Sequence, residues 1–379
     1  MKCFKNATVY VAGEGLKRCT VEFDGVIRAI GADSTAQEIV LPEDAIVVPG
    51  FVDQHIHGAG GSDGMDGTLT DLETIATTIV SEGTTSFVAT TMTQSVENIT
   101  KAMTAVKEYR EGTHPGARVV GIHLEGPFIA AAYKGAQPLE YVAAPSIEVF
   151  KAYNEASGNA IKIVTLAPEV EGAEELIAYL TENGIVSSIG HTGAKYADIK
   201  KAIAVGASNV THTYNAQTAL HHREIGTVGS AMLCDELNCE LIADTIHVSV
   251  PAMMMLVKNK PHDKISLITD AMRAKGLPDG ISELGGQTVY VKGGEARLAD
   301  GTLAGSVLRM NRAVQNMVTK VGVPFTQAID YATINPARML KIDDEAGSIE
   351  VGKRADFTVL NANYDVVCTV IGGEIVYQA

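Results

Sequence analysis

The sequence predicts an α/β fold: a (β/α)8 TIM-type barrel with a small β-sandwich-like subdomain built from both chain termini. Three observations predict it. From residue 45 onward, an apolar strand, a polar loop and an amphipathic helix recur in turn. Both ends of the chain are instead rich in short strand patterns punctuated by glycine. No Gly-x-Gly-x-x-Gly follows a strand, which leaves an open dinucleotide-binding sheet little support.

Residues 7–12 and 19–30 read as strands, with turn signals at Gly13, Gly15 and Asp24-Gly25. Barrel strands are then expected to end near His57, Thr90, Glu125, Leu166, His191, His212, His247 and Asp270. Helices are expected between them over 69–81, 96–110, 147–156, 173–183, 197–205, 224–237 and 251–260. The run Met253-Met254-Met255 is packing on the last of these. Residues 272–286 read as a Gly- and Pro-punctuated loop, 288–298 as a hairpin and 307–321 as a helix. Strand patterns return at 357–360, 366–371 and 374–377. The expected division is therefore 1–49 plus 345–379 for the β-subdomain and 50–344 for the catalytic barrel.

Barrel chemistry sits at the C-terminal ends of the strands. There this chain carries His55, His57, Glu125, His191, His212, His247 and Asp270. Each residue alone has a duller account: His191 as a turn cap, His212 bound to a loop carbonyl, Asp270 as a helix cap. Their coincidence at strand ends one, three, five, six, seven and eight points instead to a metal centre. His55 and His57 alternate with Ile56 on an extended strand, so both imidazoles face one way as a pincer. Gly58, Gly60 and Gly61 let the chain turn away behind them. Imidazoles with a carboxylate and no thiolate suit Zn2+ or Fe2+, with Mn2+ and Co2+ as further choices. Such an ion lowers the pKa of its water from about 16 toward about 7, and a free carboxylate can then carry the proton.

The net charge of −15 over 379 residues argues against nucleic acid and anionic membrane as partners. It leaves room for a small anionic substrate, because one local arginine can govern a pocket. Five scattered cysteines without a CxxC pair fit a reducing cytoplasm. No secretory pattern opens the chain, and no apolar run approaches the roughly 20 residues of a membrane helix.

The motifs extend the case along nearly the whole chain. They include Pro49-Gly50-Phe51-Val52-Asp53 with His55-x-His57, His123-Leu124-Glu125-Gly126-Pro127-Phe128, Lys134-Gly135-Ala136-Gln137 and Gly190-His191-Thr192. They continue through His212-Thr213-Tyr214-Asn215-Ala216, His221-His222-Arg223-Glu224, Thr269-Asp270-Ala271-Met272, Leu303-Ala304-Gly305-Ser306 and the tail 347–356. In these motifs the chain resembles the amidohydrolase superfamily, and within it the N-acetylglucosamine-6-phosphate deacetylases.

That resemblance implies the roles. Glu125, His191 and His212 would hold the catalytic metal. His55 and His57, which some members lack, would hold a second ion with Glu125 between the two. Asp270 would be the general acid/base, working with hydroxide generated at the metal on the N-acetyl carbonyl. Ala136, Gln137, Asn215, Ala216, Arg223, Asp244, His247, Leu303, Ala304 and Gly305 would grip the amino-sugar phosphate. Gln137, histidine in some members, would hydrogen-bond the acetamido carbonyl or a sugar hydroxyl. His247 or Gln137 would help stabilise the oxyanion, and the Asn215 and Ala216 amides would add uncharged donors. Arg223 would reach the phosphate from a neighbouring subunit, which implies a homodimer. Thr245 replaces a glycine usual in the relatives. Two other readings stand beside this one. A dihydroorotase-like or N-acyl-amino-acid deacylase-like enzyme would not need Arg223 beside Asn215-Ala216. A non-catalytic sugar-phosphate-binding barrel would be expected to have lost ligands, and none is missing.

Overall fold

A computed structural model describes residues 1–31 and 33–379. Eight parallel strands form the barrel: Phe51–Ile56, Thr84–Thr90, Arg118–Glu125, Ile161–Leu166, Val186–Ile189, Asn209–Val210, Asn238–Ile242 and Ile265–Ile268. Each pairs with the next in sequence. The seam between the eighth and the first is closed by the Asp270 N–H donating to the His55 carbonyl at 2.8 Å. Beneath it the Thr269 hydroxyl donates to the buried Asp53 carboxylate at 2.5 Å. Closure thus leaves Asp270 beside the His-x-His strand, although 215 residues separate Asp270 from His55.

Outer helices follow the expected periodicity. Leu69–Ile79, Val96–Glu111 and Ile147–Ala156 are each capped by a hydroxyl, from Thr68, Ser95 and Ser146. The helix expected over 224–237 is shorter, Gly226–Leu233. Glu224 is drawn instead into a turn that pairs it with His221. Two helices were not read from the sequence, Phe325–Ala332 and Ile334–Met339. Strand seven stops at Ile242, so His247 lies not at a strand end but in a turn beyond it. There Asp244 Oδ1 accepts the N–H groups of Ile246 and His247, each at 2.8 Å.

The strands of both termini form one sheet. Its order is Glu374–Gln378, Val366–Ile371, Phe357–Leu360, Ile46–Pro49, Lys2–Val11, Gly15–Phe23, Ile27–Ile30. Phe4, Phe23 and Phe357 close its core, with ring centroids 5.0 to 5.3 Å apart. Ile46–Pro49 runs through Gly50 straight into the first barrel strand, so this sheet anchors the strand that carries His55 and His57. A Cβ at Gly50 would sit 2.2 Å from the Thr85 hydroxyl, so the junction admits only glycine.

Part of the span read as loop, 272–286, is a strand. Gly280–Leu284, Gln287–Lys292 and Glu295–Arg297 make a small antiparallel sheet above the barrel mouth. Ile281 is 77% exposed there, which hides the alternation expected of a half-buried strand. Among the described residues no helix is long and apolar enough to cross a membrane, and all five cysteines are buried and unpaired.

Candidate active site

Glu125 ends the third barrel strand, and four imidazoles converge on it. Its Oε1 lies 3.1 Å from His191 Nε2, 3.0 Å from His212 Nε2 and 3.6 Å from His55 Nε2. Its Oε2 lies 3.2 Å from His57 Nε2. Asp270 Oδ1 faces the same pincer, 3.2 Å from His57 Nε2 and 3.5 Å from His55 Nε2. Two candidate ligand sets share the one carboxylate: His55, His57, Glu125 on one side and Glu125, His191, His212 on the other.

These residues fit a divalent metal on three grounds. The Nε2 atoms of His191 and His212 face each other at 3.1 Å. Ligand atoms held about 2.1 Å from one ion at tetrahedral angles stand about 3.4 Å apart, so such spacings suit a common cation. His55 Nε2 is fully buried without a hydrogen-bond partner, an orphan that a cation would satisfy. The opposite ring nitrogens are partly fixed: His191 Nδ1 meets the Tyr133 carbonyl at 2.9 Å, which leaves Nε2 free to ligate.

Backbone strain marks the same residues. His191, His212 and Asp270 have φ of 48°, 30° and 46°, left-handed values that cost a non-glycine residue energy. Thr245 has φ 70°, a left-handed value that glycine would adopt more readily.

Charge is balanced tightly here. Burial pushes the Glu125 carboxyl up, but His55, His191 and His212 hold it well below the usual range. Burial also works against Asp270 ionising, yet His55 and His57 bring it down to about 2. Conversely, burial pulls the His57 imidazole down, while Asp270 and Glu125 hold it up at about 10. The cluster is built to carry positive charge, as protons or as a cation that displaces them. A folded value near 10 against about 6.5 in the unfolded chain means that His57 stabilises metal-free protein fully below about pH 6.5. That contribution is lost as the pH climbs through about 10. Metal-stripped protein is therefore expected to lose thermal stability across this window, and Zn2+-loaded protein to keep it. Melting curves of both forms at pH 6, 8 and 9.5 check this, and an equal decline in both would overturn it.

The cluster floors a cavity of about 340 Å3. Ala136, Gln137, Asn215, Ala216, His247, Leu303 and Gly305 line it, with Met92, Tyr133, Leu284 and Thr302 beside them. Several residues expected to grip a substrate are engaged with the protein itself. Gln137 Nε2 donates to Glu125 Oε2 at 2.9 Å, and its Oε1 accepts the Thr93 N–H at 2.7 Å, so it braces the carboxylate. Asp244 Oδ2 takes His247 Nδ1 at 2.6 Å, so Asp244 orients His247 and does not itself line the cavity. The Asn215 N–H is committed to the His212 carbonyl at 2.9 Å, which removes one of the two backbone donors expected there. Ala304 is buried under the small sheet. Arg223 stands exposed on the loop after strand six, outside the cavity of its own chain.

Beneath this cluster lies a feature the sequence did not disclose. Gln54, Glu240, Asn209, Ser188, Thr211, Thr165 and His123 hydrogen-bond in turn, and His123 Nδ1 returns to the Gln54 carbonyl at 3.2 Å. All are buried, so this barrel carries a closed polar belt where branched apolar side chains are usual. Burial brings His123 down to about 4, which keeps it neutral, with Nδ1 donating and Nε2 accepting from Thr165. A carboxylate or amide inside a short apolar strand was the available signal.

The profile of the amidohydrolase family matches residues 46–376. The chain belongs to the amidohydrolase family. The amidohydrolase is 42% identical to N-acetylglucosamine-6-phosphate deacetylase of Bacillus subtilis (strain 168), over 93% of this chain and 91% of that one. It is 37% identical to N-acetylgalactosamine-6-phosphate deacetylase of Escherichia coli O157:H7, over 93% of each. A solved Asp-to-Ala mutant of N-acetyl-D-glucosamine-6-phosphate deacetylase from Mycobacterium smegmatis, in complex with N-acetyl-D-glucosamine-6-phosphate, superposes with a TM-score of 0.93. That match has 30% identity and covers 100% of this amidohydrolase and 99% of that chain.

Proposed function

We propose that this amidohydrolase removes the acetyl group of N-acetylglucosamine 6-phosphate, giving glucosamine 6-phosphate and acetate. The observation that carries the reading is Glu125 shared by two histidine pairs, with Asp270 beside it, at the floor of a cavity the size of one sugar. Relatives of that activity spanning more than nine-tenths of the chain support it. Glu125, His191 and His212 would hold one divalent ion and His55 with His57 a second, Zn2+ or Fe2+ best matching the donors. Bound there, such an ion would supply a water of pKa about 7 and a Lewis acid for the amide carbonyl. Asp270, ionised at neutral pH, accepts the proton of the attacking water and returns it to the amine nitrogen as the C–N bond breaks. His247, held by Asp244, presents Nε2 to the cavity and orients the substrate or its oxyanion. Buried, unpaired cysteines suit a cytoplasmic enzyme.

Phosphate recognition supports a dimer. The cavity lining of one chain contains no lysine or arginine. Exposed Arg223 supplies the missing fork of donors when a second subunit brings it to the cavity mouth. A charge-assisted pair is worth about 1.5–3 kcal/mol, so Arg223→Ala is expected to raise KM roughly 10- to 150-fold with kcat little changed. Acetate release from N-acetylglucosamine 6-phosphate, its unphosphorylated parent and N-acetylgalactosamine 6-phosphate tests the reading. Equal turnover with and without phosphate would refute it, and preference for the galacto epimer would move the assignment to that substrate. Mixing Arg223→Ala chains with Asp270→Asn chains checks the dimer. Hybrid dimers hold one site with both residues intact, so turnover at substrate well below the raised KM of Arg223→Ala returns, and no recovery there after verified subunit exchange would refute a shared site.

A further inference from the structure

We propose that Glu240 is a positioning residue that sets the tautomer of His55 for metal binding and ties the two ligand sets together. This rests on the metal-dependent reading above. Glu240 is completely buried in the seventh barrel strand and its carboxylate accepts four hydrogen bonds. Oε1 takes Gln54 Nε2 at 2.8 Å and Asn209 Nδ2 at 3.0 Å. Oε2 takes His55 Nδ1 at 3.0 Å and the backbone N–H of His212 at 3.3 Å. A carboxylate can only accept, so the His55 proton resides on Nδ1. In the neutral imidazole that a metal would meet, Nε2 is then the ligating nitrogen; it faces Glu125 and Asp270 and has no hydrogen-bond partner. Through its other contact the same oxygen holds the strained backbone of His212, a ligand of the other set. One side chain therefore orients a ligand on each side of Glu125.

Glutamine at 240 keeps the volume but has one acceptor oxygen. It must turn its NH2 either on His55 and His212 or on Gln54 and Asn209, all of which donate. Outer-shell partners of ligating histidines typically hold 10- to 100-fold of metal affinity. In the full chain, stripped and titrated with Zn2+ against a chromophoric chelator, Glu240→Gln is expected to weaken one ion about 10- to 100-fold. The Zn2+ held opposite His55 should be the one affected, and the other less so. Ser188→Ala breaks the same polar belt away from the ligands and is expected to leave both affinities at the wild-type value. Equal affinities in Glu240→Gln and wild type would overturn the proposal, as would equal weakening by Ser188→Ala. The unmutated protein gives a second measurement should Glu240→Gln not fold. With 15N-labelled histidine and Cd2+ bound, the 113Cd–15N coupling should fall on His55 Nε2 with Nδ1 protonated, and coupling to Nδ1 would overturn the assignment. Wild-type protein that takes up no Zn2+, or turns over without it, would instead remove the reading beneath.

Discussion

Replacing Asp270 with asparagine is expected to cut acetate release from the acetylated sugar phosphate by roughly a thousandfold or more, at the upper end of what a positioned acid/base contributes. The substitution keeps size and one oxygen but removes the ability to carry a proton. Asp270 reaches its place because the seam closes there, with its own N–H on the His55 carbonyl at 2.8 Å. Asparagine tolerates the left-handed φ of 46° at least as well as aspartate, so the backbone should not move. The ion of Glu125, His191 and His212 should therefore stay, since none of these three needs Asp270 for its contacts with the others. Elemental analysis beside the activity assay checks both halves. Near-normal turnover would refute the acid/base assignment, and loss of all metal would make Asp270 a ligand first.

The convergence of these side chains was legible because barrels place chemistry where strands end, so a histidine or carboxylate closing an apolar run has a predictable destination. His55, His57, Glu125, His191, His212 and Asp270 all obey that rule. What escaped was chemistry that depends on which way a side chain faces. Glu240 sits in Asn238-Cys239-Glu240-Leu241-Ile242, and a polar residue in a strand usually marks the solvent face. Only closure of the sheet turns that face inward. Gln137 and Asp244 were placed near the site but given a substrate to hold. Whether an amide or carboxylate is already committed depends on partners 12 residues away for Gln137 and three for Asp244. Helices 325–332 and 334–339 were missed for a plainer reason. They are short and abut across Thr333, so neither shows enough turns to establish a period.

Glu125→Gln should be the more disruptive of the two substitutions at the floor of the cavity, because it removes the charge common to both ligand sets. The amide keeps the shape and one oxygen. Its nitrogen must then face either Gln137 Nε2 and His57, or His191 and His212, replacing an acceptor with a donor. Metal content is expected to fall to near zero at both positions, whereas His191→Ala should empty only its own side. That contrast separates a shared carboxylate from two independent sites, and a Glu125→Gln protein that retains one full equivalent would refute sharing. Without metal the substitution also tests the charge balance. Asp270 and Glu125 together keep His55 and His57 protonated in the interior, and the substitution removes the second of them. Breaking a buried pair from one side costs about 3–5 kcal/mol, and the lower figure is expected because the imidazoles can shed their protons instead. Denaturant unfolding of chelated wild type and variant measures that loss. Raising the pH toward 10 should shrink it, since wild-type His57 then gives up the same proton, and a loss independent of pH would place the cost in packing rather than charge.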